Sequence, residues 1–398
     1  MGGETLSRRT VIFVNIAHAF DHFVLLIYPT AVIAIAAERG LDYAGLITLA
    51  TGAFVAFGLC SLPMGWIADR VGRRNMLAVF FLGYGASCLA IAATTTSLAL
   101  AIWLLVLGVF SAIYHPIGSA MLVSHARQLG RDLGWNGVWG NLGAALASGV
   151  TAFIAAQFGW RWAFVVPGLA CILVGIAFMA LVPGDGEPGK HGKAAAVPIA
   201  TSRPLLVLAG LAAAIVAGGM TFNITTIALP KVIDEGIGLS LPLALTGSLA
   251  TAVFVCGALT QLATGRLLDR YSLPAIFVGM AALQPLGLAL AATTTGAPLL
   301  IGLVIITSAI YGQVVINDAM IARYIPANYR AKAFSVRYFL GFTASGFAAP
   351  IIALLHARGG FPLVLGVAAA FGAVVLLCAL MFKAITSPAA RDAIAPAE

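Results

Sequence analysis

Gly65-Trp-Ile-Ala-Asp69-Arg70 and Gly265-Arg-Leu-Leu-Asp269-Arg270 each close a long apolar run, and they stand about 200 residues apart. Ser111-Ala-Ile-Tyr114 and Ser308-Ala-Ile-Tyr311 repeat at nearly the same offset, again inside apolar runs. Four-residue identities arise by chance in a biased sequence. Two of them sharing an offset and a position within their segments instead mark a duplicated unit, the self-similarity typical of two-half membrane proteins.

The surrounding composition fits. Of 398 residues 61% are hydrophobic and 9% charged, with a mean hydropathy of +1.02. Crossing about 30 Å of hydrocarbon takes about 20 apolar residues. Apolar segments lie near 11–36, 44–66, 75–95, 98–123, 134–157, 161–183, 205–230, 242–265, 272–293, 297–322, 333–356 and 360–383. The expected fold is all-α and integral to the membrane, twelve transmembrane helices in two pseudo-symmetric six-helix bundles. Residues 1–183 form the first bundle, 184–204 a Gly-, Pro- and Lys-rich linker, and 205–398 the second bundle with a short tail. No large extramembrane domain is expected among these residues.

The net charge of +8 does not imply nucleic acid, because the basic residues stand singly or in twos and threes at segment ends. Seventeen Arg and Lys fall on the side of the termini and four on the other, with Arg337 left inside a span. Termini and linker are therefore expected in the cytoplasm of a bacterial inner membrane. The cysteines, Cys60, Cys88, Cys171, Cys256 and Cys378, read as small buried hydrophobes. The first ten residues show no small-residue cleavage site and are not read as a removable signal.

The run GWIADRVGRR at 65–74 resembles the loop motif between spans 2 and 3 of the major facilitator superfamily, and GRLLDRYSLP at 265–274 resembles a degenerate second copy. The resemblance covers nearly the whole chain and implies a transporter. Gly65 would let helices approach closely, and Asp69 would accept hydrogen bonds at a helix N-terminus or pair with arginine. With Arg70, Arg73, Asp269 and Arg270 these residues are expected to latch the halves together on the cytoplasmic side. YHPIGSAM at 114–121, NGVWGNLG at 136–143 and FGWRWAFVVPG at 158–168 are similar to the fosmidomycin-resistance-like branch, which implies export. Span 5 lacks the Gly-Pro pair usual in drug/proton antiporters.

Ionisable and polar groups deep in a span are costly and therefore mark function. Asn15, His18, Asp21 and His22 share one broad face of span 1, and Asp21 lies about 15 Å inside the bilayer. Burial and neighbouring cations act on such a carboxylate's proton in opposite senses, which suits a proton carrier. His18 and His22, with His115 beside the kinking Pro116 of span 4, are expected to share that proton. The alternatives are a purely structural polar face and a divalent-metal site from His18, Asp21 and His22. Phe222-Asn223 aligns with Phe20-Asp21, so the second half carries an amide where the first carries an acid. Asn15, Tyr114, Asn141, Asn223, Tyr311, Gln313, Asn317 and Arg337 are expected to meet the solute. Asp318 serves either gating or a rim ion pair with a loop arginine. Arg337 faces either an anionic cargo, or an acid such as Asp21 or Asp318, or the headgroups.

These features point to a proton-coupled secondary transporter of a small organic solute, exporting it. Uptake of an organic anion, divalent-metal transport, a membrane enzyme and a non-transporting receptor on the same fold are the competing classes. No GxxxxGK[ST] motif is present, so the proton gradient, not ATP or a bound cofactor, is the expected energy source. The expected partners are the bilayer and a small-molecule substrate, with no nucleic acid, and the chain is expected to act as a monomer.

Overall fold

The computed structural model describes residues 2–125, 129–184, 204–237, 241–324 and 327–386. Nearly all of the linker expected at 184–204 falls outside them. Every regular element among the described residues is a helix. The first half holds α1 (Gly2–Leu25), α2 (Ile27–Arg39), α3 (Tyr43–Thr48), α4 (Thr51–Val71), α5 (Arg73–Ala92), α6 (Ser97–Ser111), α7 (Tyr114–His125), α8 (Leu129–Phe158) and α9 (Trp162–Leu181). The second holds α10 (Pro204–Gly236), α11 (Leu243–Arg270), α12 (Leu273–Thr293), α13 (Gly296–Tyr324) and α14 (Ala327–Ile385).

Eleven stretches are long and apolar enough to cross a bilayer, and the last, Phe339–Ile385, runs for 47 residues. At 1.5 Å per residue that is about 70 Å, more than twice the hydrocarbon thickness. Inside it Gly359 (φ −158°, ψ 20°) and Gly360 (φ 63°, ψ −165°) leave helical geometry. Gly360 occupies the left-handed region, which a residue without a side chain enters at no steric cost. α14 is thus two spans joined by a tight turn, and the chain crosses twelve times.

Three spans are built from two helices. Span 1 is α1 plus α2, broken at Leu26, and Pro29 explains the break: it offers no N–H to the carbonyl of Leu25, four residues earlier. The chain turns there through Leu26 N–H donating to the Phe23 carbonyl at 3.2 Å. Span 4 is α6 plus α7, and Pro116 frees the carbonyl of Ala112 in the same way. Span 2 is α3 plus α4. Asp42 starts it as an N-cap, its carboxylate accepting from the backbone N–H groups of Ala44 at 2.7 Å and Gly45 at 3.0 Å.

Large apolar side chains such as Leu173, Leu286, Leu377 and Leu98 stand exposed around the bundle, where hydrocarbon is their solvent. Of the cysteines only Cys88 and Cys171 are buried; Cys60, Cys256 and Cys378 are half-exposed. The expectation of five buried cysteines is corrected for those three, because in a bilayer an apolar side chain gains nothing by turning inward.

The halves meet along two seams, span 5 against span 8 and span 2 against span 11. Near the face remote from the termini, Tyr43 of the first half packs its ring 5.2 Å from His356 and 6.0 Å from Phe361 of the second. Lower down, Gly149 N–H donates to Thr251 Oγ1 at 3.0 Å, and a Cβ on Gly247 would lie 2.3 Å from Ala152 Cβ. Below the bilayer centre Asn141 of span 5 hydrogen-bonds Gln261 of span 8. The named contacts between halves therefore run from the remote face to just past the centre.

Candidate functional site

The breaks in spans 1 and 4 lie beside the same polar cluster. Asp21, four residues before the Leu25 carbonyl that Pro29 leaves free, is fully buried. Its Oδ1 accepts from Ser111 Oγ at 2.6 Å, and its Oδ2 lies 3.3 Å from His115 Nε2. Its backbone carbonyl accepts from Tyr84 of α5 at 3.0 Å. No Lys or Arg pairs with this carboxylate among the described residues. A carboxylate held by a hydroxyl and lying beside a histidine can exchange a proton with that histidine without first breaking a strong ion pair.

His18 and His22 stand one turn apart on α1 with their Nε2 atoms 3.1 Å from each other. Their rings lie 5.5 Å and 5.6 Å from that of His115. His18 Nδ1 contacts the Asn136 backbone carbonyl at 2.8 Å, so it is the protonated nitrogen and Nε2 carries the lone pair. A Cβ on Gly140 would lie 2.6 Å from His18 Nε2, so only glycine at that turn of span 5 leaves room for the imidazole. The face expected on span 1 is thus assembled with span 4, and His115 joins it across 94 residues of sequence.

Little in the sequence distinguishes Asn136, yet it organises the inner side of this cluster. Its amide donates to Asn15 Oδ1 at 2.9 Å and to Tyr114 Oη at 3.0 Å. The Tyr114 ring is buried and stacks on His18 at 4.8 Å. The only sequence signal was a polar residue inside an otherwise apolar, glycine-rich turn.

The second half differs. Asn223, the counterpart of Asp21, donates to the Gly219 carbonyl of its own helix at 2.8 Å. Gly312, the counterpart of His115, faces Thr264 and Met280: a Cβ there would lie 2.9 Å from Thr264 Oγ1 and 3.0 Å from Met280 Sδ. Side chains of spans 8 and 9 fill the space that the histidine occupies in the first half. Tyr311 is buried against Phe222 at 5.6 Å, and Gln313 donates to Asn317 Oδ1 at 2.8 Å.

Arg337 is buried and paired with Asp318, with a further contact to the Val314 carbonyl at 3.4 Å. The partner of Asp318 is this span-11 arginine in place of the loop arginine expected for a rim pair, and of the alternatives for Arg337 the structure pairs it with an acid. Asp318 keeps 44% of its side chain exposed, so solvent reaches the pair from one side.

The latch expected around the loop motif is not seen among the described residues. A Cβ on Gly65 would meet no atom within 4 Å, so no helix approaches closely there. Asp69 is exposed and makes no hydrogen bond or ion pair among the described residues, while Arg70 is exposed with its guanidinium 3.5 Å over the Trp66 ring. Arg73 is half-buried and Arg270 exposed; the Asp269 side chain lies outside the described residues. The anchoring residue is Arg74, which donates to the Val182 carbonyl at 2.9 Å and the Met179 carbonyl at 2.6 Å. It ties the loop to the end of span 6 in its own half by satisfying helix-terminal carbonyls. The named seam contacts lie between the remote face and just past the centre and do not reach the motif end among the described residues.

The model of the Major Facilitator Superfamily matches residues 11–317 and 243–397. Among curated proteins, the chain is 26% identical over 167 residues to a probable hexose phosphate transport protein of Chlamydia pneumoniae, covering 41% of this chain and 36% of that protein. It is 24% identical over 172 residues to the membrane sensor protein UhpC of Escherichia coli K12, covering 42% and 39%. A multidrug resistance protein B homolog of Mycobacterium tuberculosis is 27% identical over 178 residues, covering 43% and 33%. The matches span little more than a third of these relatives. Among solved structures, a bacterial homolog of the human lysosomal transporter Spinster, inward-facing and unoccupied, superposes with a TM-score of 0.76 at 11% identity, covering 96% of this chain and 99% of that one. The inward-open xylose transporter XylE of E. coli does so with 0.74 at 12%, covering 96% of each chain. The fold, the twelve spans, the duplicated halves and the family match agree, and the chain belongs to the Major Facilitator Superfamily.

Proposed function

We propose that this chain is a secondary active transporter that moves a small organic solute by alternating access and couples the movement to the proton gradient. The observation that carries the reading is Asp21, a fully buried acid at the junction of two broken helices, bonded to Ser111 and facing His115. Transporters place cargo and coupling ions at discontinuous helices near the midplane and rock one half against the other around them. The polar groups bracketing that level are Asn15, Tyr114 and Asn136 in the first half and Gln313, Asn317 and Asn223 in the second. With the termini in the cytoplasm of a bacterial inner membrane, the seams close the outer face, and the arrangement is the inward-facing state.

Export is the proposed direction, supported by the resemblance of 114–121, 136–143 and 158–168 to the fosmidomycin-resistance-like branch. Uptake of an organic anion is the second reading. The likeness to hexose phosphate transport proteins favours it. The test is purified protein in liposomes carrying a trapped pH indicator, challenged with hexose phosphates, other organic anions and cationic drugs. The reading requires that at least one compound drive proton movement that protein-free liposomes lack. Solute movement with no accompanying proton movement would overturn the coupling. Specific solute binding without any transport would favour a sensor.

A further inference from the structure

Span 1 supplies two histidines one turn apart, and the fold adds a third. His18, His22 and His115 each offer a ring nitrogen, and the three nitrogens lie within 4.8 Å of one another. All three residues are half-buried. His18 Nε2 and His22 Nε2 are 3.1 Å apart. Two imidazole nitrogens bound tetrahedrally to one zinc at about 2.0–2.1 Å sit about 3.4 Å from each other, so this pair already has nearly the spacing of two ligands. The widest of the three separations has to shrink by about 1.4 Å, which small ring rotations supply.

One surrounding acceptor is of the kind that metal-bound histidines ordinarily keep. His18 Nδ1 donates to the Asn136 carbonyl at 2.8 Å, which fixes the tautomer and leaves Nε2 as the ligand atom. The Asp21 carboxylate is held by Ser111 at 2.6 Å and lies 3.3 Å from His115 Nε2, near that ring without hydrogen-bonding it. Three neutral nitrogen donors with a fourth position open select zinc, nickel, cobalt or copper and disfavour magnesium and calcium.

We propose that His18, His22 and His115 form a three-imidazole binding site for a divalent transition-metal cation. Every ligand belongs to the first half, so binding does not require the halves to close. The proposal goes beyond organic-solute transport and does not rest on it, because metal binding is read without any flux.

The experiment titrates Co²⁺ into the purified full-length chain in lipid nanodiscs and follows the visible bands of four-coordinate cobalt. One Co²⁺ per chain is expected, displaced by Zn²⁺. Affinity should fall about tenfold or more in His22→Gln and His115→Gln and stay unchanged in His356→Gln, whose imidazole lies elsewhere, beside Glu235. His22→Cys should retain binding and add a thiolate-to-cobalt band, which identifies the ligand even if the glutamine variants fold poorly. Absence of one-to-one binding, wild-type affinity in folded His22→Gln and His115→Gln, or loss of binding in His356→Gln would overturn the proposal. A negative result here leaves the proton-flux test of transport untouched, and the reverse holds.

Discussion

Replacing Gly247 by alanine should push the two halves apart on the remote face. Its new Cβ would lie 2.3 Å from Ala152 Cβ and 2.5 Å from the Ser148 carbonyl oxygen, both on span 5 of the opposite half. Carbon atoms prefer about 3.5–4.0 Å, so spans 5 and 8 must separate by a little over 1 Å or carry the clash. Overpacking of this kind costs about 1–3 kcal/mol. The alternative state, in which the remote face opens, does not bear that cost, so its population relative to the closed state should rise about 5- to 150-fold. Thr95 and Thr295, exposed in equivalent loops of the two halves on that face, are suitable spin-label positions after substitution by cysteine in a cysteine-depleted background. Electron–electron distance measurements should show a longer component growing in Gly247→Ala. An unchanged distance distribution in a correctly folded Gly247→Ala would refute the assignment of this seam to the conformational change.

Other outcomes follow from the same contacts. Gln261→Ala removes the cross-half amide pair with Asn141 and should shift the same distance equilibrium by about 0.5–1.5 kcal/mol, with Asn141→Ala adding little on top of it in a double-mutant cycle. Asp318→Asn should cost only about 1 kcal/mol in unfolding experiments, because 44% exposure lets water replace much of the lost ion pair; a loss of 3–5 kcal/mol would mean that the pair is sealed from solvent. Gly140→Ala should displace His18, since its Cβ would lie 2.6 Å from Nε2, and impair transport while leaving the protein folded; the paired readout is flux against melting temperature. In intact cells an impermeant thiol reagent should label Thr95→Cys but not Arg70→Cys, and the opposite pattern would invert the topology.

Hydropathy and the duplicated motifs made the twelve spans legible, because crossing hydrocarbon fixes both the length and the composition of a segment. Pro116 announced the break in span 4, whereas Pro29 breaks span 1 through the same missing N–H and passed as an ordinary residue of an apolar run. The face carrying Asn15, His18, Asp21 and His22 follows from helical periodicity. What faces it does not: nothing local ties Asp21 to Ser111, 90 residues away, or His18 to the Asn136 carbonyl. Asn136 and Gln261 were passed over for a related reason, since an amide in a span shows its role only when its partner is known. The mismatch between His115 and Gly312 was visible as a difference between halves, and only packing against Met280 and Thr264 explains it. The loop motif by itself suggests a closed contact, but a loop motif does not specify which of two states a structure holds.

The most direct test compares accumulation with exchange in wild type and Asp21→Asn, using proteoliposomes and a solute found by the proton-flux screen. Wild-type protein should concentrate the solute under an imposed pH gradient and also exchange labelled for unlabelled solute at equilibrium. Asp21→Asn should retain exchange and lose gradient-driven accumulation. Full accumulation in Asp21→Asn with unchanged pH dependence would contradict the account.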